Sequence, residues 1–187
     1  MENVFCIKRS DLDKFFPGNL PQGSISSPSL EDVLTLSHHF VPRDHAESDP
    51  SYKQIIPYQL FARNGRVFVY QRGGNAGEKR LRGKLSAGIG GHINSYDSTS
   101  GKRLTIENFM QALIREREEE TVCPPGLDAR FLGWINDDSD DVGKVHLGSV
   151  FLCRLDEHHS FTLRTGTGSE DIHEAWLIFG GRYSQQR

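Results

Sequence analysis

The stretch from Leu104 to Cys123, LTIENFMQALIREREEETVC, decides how the rest of the chain is read. Its first half carries Ile106, Phe109, Ala112 and Leu113 at helical spacing behind Thr105, a residue suited to cap a helix N-terminus. The pattern predicts a helix over 106–120, terminated by Pro124-Pro125. Its second half puts two arginines and four glutamates into residues 115–120. Like charges three or four apart on a helix repel by roughly 0.2–0.5 kcal/mol per pair. Such a run is either a solvated face offset by its arginines or a set of carboxylates that converge on a cation. At about 100° per residue, Glu116, Glu119 and Glu120 fall within one wedge of about 100°. That wedge lies beside the apolar face, so the carboxylates sit at the core boundary, where they raise one another's pKa or need a counter-cation. Hard oxygen donors of this kind suit Mg²⁺ or Mn²⁺. Arg115, four residues before Glu119, can brace it.

Working outward, QIIPYQLFARNGRVFVYQR (54–72) reads as two strands joined at Asn64-Gly65, the dipeptide of a type I′ hairpin. GGNAGEKRLRGK (73–84) is a basic, glycine-rich loop, LSAGIGGHI (85–93) a short strand running into Gly90-Gly91, and NSYDSTSGKR (94–103) a polar insertion. After the helix, ARFLGWIN and KVHLGSVFLCRL form a second strand pair, HEAWLIF is a last strand, and NDDSDDVG reads as a hairpin turn, not a calcium loop, because its glycine falls one place late. Before residue 50, VFCI is a short strand and SDLDKFF a helical turn or two opened by a Ser10/Asp13 pair and ended by Pro17-Gly18. SLEDVLTLSHHF is a further short helix. The expected architecture is a mixed-sheet α/β (α+β) domain over 51–187, with 1–50 as an N-terminal extension packed on or beside it.

Bulk properties narrow the function. A net charge of −3 and an isoelectric point near 6.2 argue against a coat for duplex nucleic acid or anionic membrane. No apolar run approaches the ~20 residues of a membrane span. The first residues lack a basic region followed by an apolar one, and Cys6, Cys123 and Cys153 form no CxxC pair, so a cytoplasmic protein with reduced thiols is expected. The histidines show no zinc-type spacing.

With those residues in view, the stretch resembles the signature of the Nudix (MutT-related) hydrolases, Gx5Ex7REUxEExGU with U aliphatic. Gly101, Glu107, Arg115, Glu116, Glu119 and Glu120 fall at its spacing. The resemblance runs over roughly 54–180 and is strongest to a branch of phosphoesterases with phrases such as GIGGHIN and KQIIPY. It implies a Nudix-like α/β/α sandwich, although little chain remains after HEAWLIF for the closing helix common in the family. Three departures stand out. Gly90-Gly91 reads as the true counterpart of the signature glycine, with Gly101 a coincidental match inside the insertion. Arg117 replaces an aliphatic residue, and Val122 replaces a glycine expected in a left-handed cap.

The resemblance further implies metal-dependent hydrolysis of a phosphoanhydride bond in a nucleoside diphosphate derivative or related small phosphate compound. Glu116, Glu119, Glu120 and the Gly90 carbonyl would hold the metal, Glu116 would take the proton from water, and Arg115 would orient a glutamate. Glu107 either does likewise or is an ordinary first-turn acid. Glu170, Asp171 and Glu174 are candidates for an additional ligand or base. The basic loop with Lys79, Arg80, Arg82 and Lys84 is a candidate diphosphate clamp. The extension and the insertion are expected to shape the substrate pocket or a homodimer interface. The rival reading is a Nudix-fold module that binds a nucleotide without cleaving it.

Overall fold

The computed structural model describes residues 2–16, 18–71, 85–98, 103–164 and 174–178. The chain folds around one long strand. Strand β1 (Asn3–Lys8) is followed by helix α1 (Arg9–Phe15), β2 (Gly23–Ile25), α2 (Leu30–Leu34), β3 (His38–Pro42) and the one-turn α3 (Arg43–Ala46). Then come β4 (Tyr52–Arg63), β5 (Arg66–Gln71), β6 (Leu85–Ser86), β7 (Gly88–Gly90), the long helix α4 (Ile106–Glu120) and β8 (Thr121–Val122). The series closes with β9 (Ala129–Asn136), β10 (His146–Arg154), β11 (Thr162–Leu163) and β12 (Glu174–Ile178).

Strand β4 runs parallel to β10 along one side. Its other side is shared in succession by β1, β7 and β5, all antiparallel. The main path of the mixed sheet is β12-β5-β4-β10-β9-β2. The β4–β5 connection is the expected hairpin: Asn64 and Gly65 have φ of 50° and 71°, as a type I′ turn requires.

Alternation along the strands separates two faces. Phe5 and Ile7 of β1 join Ile55, Phe151 and the Phe109, Ala112 and Leu113 stripe of α4 in the main core. Val4 and Cys6 point the other way, against Val41 and Ala46 at α3. Burial of a side chain such as Phe109 stabilises the fold by about 1.5–3 kcal/mol. Leu12 of α1 and Leu30, Val33 and Leu34 of α2 complete the main core, so residues 1–50 supply both strands to the sheet and apolar groups to the same interior. Among the described residues, the second face carries only the single turn of α3 as helix.

Local details differ from the sequence reading. α1 starts at Arg9, and Asp13, expected to close a capping box with Ser10, instead accepts from Arg9 Nε and the Leu20 N–H at 3.0 Å each. α2 has the reciprocal Ser29/Asp32 capping box but stops at Leu34; HHFVP becomes β3, because its partner β1 offers a ladder. α4 ends at Glu120, three residues short of the proline pair, because Thr121-Val122 pairs with β11.

The extension is anchored by a buried ammonium. Lys53, fully buried, donates to Asn136 Oδ1 (2.8 Å), Asp138 Oδ1 (2.6 Å) and the carbonyls of Gly143 (2.6 Å) and His146 (3.1 Å). Asp138 Oδ2 also accepts from Arg9 of α1 (2.9 Å) and from Gln22 beside β2 (2.7 Å). The acidic turn therefore closes the β9–β10 hairpin and takes lysine and arginine as its cations. Partial burial alone would raise the Asp138 carboxyl, but the hydrogen bonds from Arg9, Lys53 and Gln22 outweigh it and hold it well below the usual carboxylate range.

Replacing Asp138 by Asn leaves Lys53 buried beside neutral groups and should cost about 3 kcal/mol at pH 7. The folded carboxyl lies below its unfolded value of ~3.9, so its contribution is complete above about pH 4 and lost as pH falls further. Urea denaturation from pH 2 to 7 should show a steeper acid loss in the wild type than in Asp138→Asn; parallel curves would refute the assignment.

Candidate active site

Helix α4 brings the charged run to the end of β7. Thr105 caps it, its hydroxyl accepting from the Asn108 N–H (3.2 Å) while Asn108 Oδ1 accepts from the Thr105 hydroxyl (3.1 Å). Gln59 of β4 donates to the Leu113 carbonyl (3.0 Å) from the sheet below. The next turn points Glu116 inward, and its carboxylate lies where a Cβ on Gly91 would stand; any side chain there would overlap it. Gly91 is not among the residues with positive φ, so the glycine is required for space and not for conformation. Gly91 therefore lies directly against Glu116, whereas Gly101 lies outside the described residues.

Arg115 is the hub of the site. Its Nε and Nη2 grip both oxygens of Asp97 (3.0 and 2.8 Å), and Nη2 also donates to the His92 carbonyl (3.1 Å). Nη1 donates to Glu116 (2.7 Å) and reaches Glu119 at 3.3 Å. Burial alone would lower its pKa, but Asp97 and Glu116 outweigh that and raise it, so the charge is permanent. Burial raises the Glu116 carboxyl; Arg115 opposes, while Glu119 and Glu120 push it up further. Glu119 is more than half exposed and Glu120 half-buried. Glu107, exposed in the first turn, is held below its ordinary pKa by its own backbone N–H and Thr105. Those are the contacts of a first-turn acid.

Asp97 escaped the sequence reading. It lies in the polar insertion, where Asn94-Ser95-Tyr96-Asp97 forms a short 3₁₀ turn: the Asn94 N–H donates to Asp97 Oδ2 at 2.8 Å, and the Asp97 N–H donates to the Asn94 carbonyl at 3.0 Å. The Asn-x-x-Asp spacing was the available signal; its partner eighteen residues later was not.

Both departures after Glu116 are accommodated. Arg117 is buried and donates from Nη1 to the Leu127 carbonyl (2.7 Å), tying the helix to the loop before β9. Val122 is extended in β8 opposite Thr162, a conformation that suits a β-branched residue. In place of a glycine cap, Arg164 holds the helix end: its N–H donates to the Glu120 carbonyl (2.8 Å) and its Nε to the carbonyls of Glu118 (2.7 Å) and Thr121 (3.0 Å). A cation there also complements the helix dipole.

Of the remaining candidates, only Glu174 is among the described residues. Glu174 belongs to β12, at the far edge beside β5. Lys79, Arg80, Arg82, Lys84, Glu170 and Asp171 lie outside the described residues. Among the described residues no three His, Cys, Asp or Glu side chains are gathered into a ready cage for a metal. Arg115 stands between Glu116 and Glu119 as the counter-charge. The donor set nevertheless fits a hard divalent cation: carboxylate oxygens, one of them desolvated and raised in pKa, beside a glycine notch.

No family model matches the chain. Protein YmaB of Bacillus subtilis strain 168 is 39% identical over 119 residues, 60% of this chain and 54% of YmaB, so the chain spans about half the length of that curated relative. The crystal structure of Tm1382, described as "a putative Nudix hydrolase", is 30% identical and superposes with a TM-score of 0.73 over 95% of this chain and 86% of Tm1382. The chain belongs to the Nudix family. Its mixed α/β fold is Nudix-like, and helix α4 leaves through an exit built from Arg117, β8 and Arg164.

Two changes test this geometry. Gly91→Ala should displace the Glu116 carboxylate and weaken divalent-metal binding at least tenfold by calorimetry, about 1.4 kcal/mol. Arg164→Ala should lower stability by only about 0.5–1 kcal/mol. It should also speed amide hydrogen exchange from Glu118 to Thr121 and leave Phe109 to Leu113 unchanged.

Proposed function

We propose that this Nudix protein is a Mg²⁺- or Mn²⁺-dependent hydrolase that cleaves a phosphoanhydride bond in a nucleoside diphosphate derivative or related small phosphate compound. The observation that carries the reading is the Glu116 carboxylate, desolvated in the Gly91 notch and held by Arg115, with Glu119 and Glu120 one turn further on. Glu116, Glu119, Glu120 and the Gly90 carbonyl would hold the metal, which when bound offsets phosphate charge and acidifies a water.

The chain's own groups supply the rest. Glu116, set beside the water by its notch and by Arg115, takes the proton as the water oxygen bonds to phosphorus. The bridging P–O bond breaks, and its electron pair leaves with the departing phosphate. Arg115 keeps one Glu116 oxygen engaged, so the other is directed, and Asp97 fixes Arg115 in turn. The departures that favour a non-cleaving module, Arg117 and Val122, are absorbed by contacts with Leu127 and β11, away from the Glu116 notch, which supports the enzyme reading.

Hydrolysis should be followed with Mg²⁺ or Mn²⁺ across nucleoside triphosphates, dinucleoside polyphosphates, nucleotide sugars, ADP-ribose, NADH, CoA and inorganic tripolyphosphate. The double variant Glu119→Gln/Glu120→Gln should lose roughly a thousandfold in rate, about 4 kcal/mol. Tight binding of one compound with no turnover would replace the enzyme with a nucleotide sensor.

A further inference from the structure

We infer that Tyr96 is the platform on which the base of a nucleotide substrate stacks, so that the site selects nucleotides over inorganic polyphosphates. The inference rests on the proposed site at Glu116. Tyr96 is 68% exposed, the most exposed large apolar side chain among the described residues. An aromatic ring left in water forgoes the burial that places most such rings inside. Yet this ring is held in place. Its hydroxyl accepts from Asn94 Nδ2 (2.7 Å), and one face lies over the Arg115 guanidinium, 5.3 Å from Cζ to the ring centroid. Asn94 is itself buried, and the turn between Asn94 and Asp97 is fixed by the Asn94 N–H bond to Asp97, the Asp97 N–H bond to the Asn94 carbonyl and the Asp97–Arg115 pair. The side chain therefore has little rotamer freedom left to lose when a ligand binds.

The position gives the ring its meaning. The same guanidinium that underlies Tyr96 touches Glu116 and Glu119. Ring and carboxylates thus share one neighbour, which places them within the span of a single nucleotide. With one face on Arg115, the other remains for a planar π-system. A purine or pyrimidine matches it, since any base can stack on an aromatic side chain without sequence-specific hydrogen bonds. Inorganic polyphosphate has nothing to place there. The turn that carries Tyr96 belongs to the insertion between β7 and α4 and also supplies Asp97, the anchor of Arg115.

Equilibrium binding of ADP and of inorganic pyrophosphate, each with Mg²⁺, should be compared by calorimetry for the wild type, Tyr96→Phe and Tyr96→Leu. The wild type should bind ADP the more tightly. Tyr96→Leu should weaken ADP about tenfold or more and leave pyrophosphate within about twofold; Tyr96→Phe, which keeps the ring, should stay near wild type for both. Equal losses for both ligands would mean that the ring only shields the Arg115–Asp97 pair, and unchanged ADP affinity would mean that it contacts no base; either overturns the inference. Pyrophosphate binding with no gain for ADP in the wild type defeats this inference alone, whereas binding of neither ligand defeats the proposed site with it.

Discussion

A carboxylate pressed into the space of a missing side chain is the constraint on which the site depends. Glu116 can turn inward only because Gly91 has no Cβ, and it stays ionisable there only because Arg115 reaches it. Arg115 is in turn fixed by Asp97 and the His92 carbonyl, both on the segment that leaves β7. Helix and strand end are locked together through one guanidinium with several acceptors around it, the planar fork geometry that lysine does not offer. The desolvation that makes Glu116 costly to bury also raises its carboxyl above the ordinary range.

The same logic of compensated burial holds the extension. Lys53 would be an expensive charge in the interior, but it closes an acidic hairpin turn and draws Arg9 and Gln22 to the same carboxylate. Residues 1–50 are therefore tied to the sheet by polar contacts as well as by Phe5, Ile7, Leu12 and the α2 leucines. The parallel β4–β10 pair is flanked on both sides by antiparallel neighbours, and the signature helix finds a rigid floor there.

Where the chain departs from the family pattern, neighbouring structure takes over. A glycine cap would end the signature helix by local conformation alone. Here the end is made by distant partners: the β8–β11 ladder, the Arg164 contacts with three carbonyls, and the Arg117 bond to Leu127. Glu119 and Glu120 are thus positioned by a segment more than forty residues later in the chain.

The sequence by itself determined the features that are local in origin. The Thr105 cap, the apolar stripe at Phe109, Ala112 and Leu113, the Asn64-Gly65 hairpin and the inward spacing of Glu116 come from periodicities of two and 3.6 residues and from turn chemistry over a few positions. Tertiary structure decided whatever depended on partners remote in the chain. HHFVP became a strand because β1 lies beside it, and α4 stopped at Glu120 because β11 pairs with Thr121-Val122. Asp97 became the anchor of Arg115 by the same route. Backbone and carboxylate groups in such places have several acceptable local solutions, and only the arrival of a donor from elsewhere selects among them.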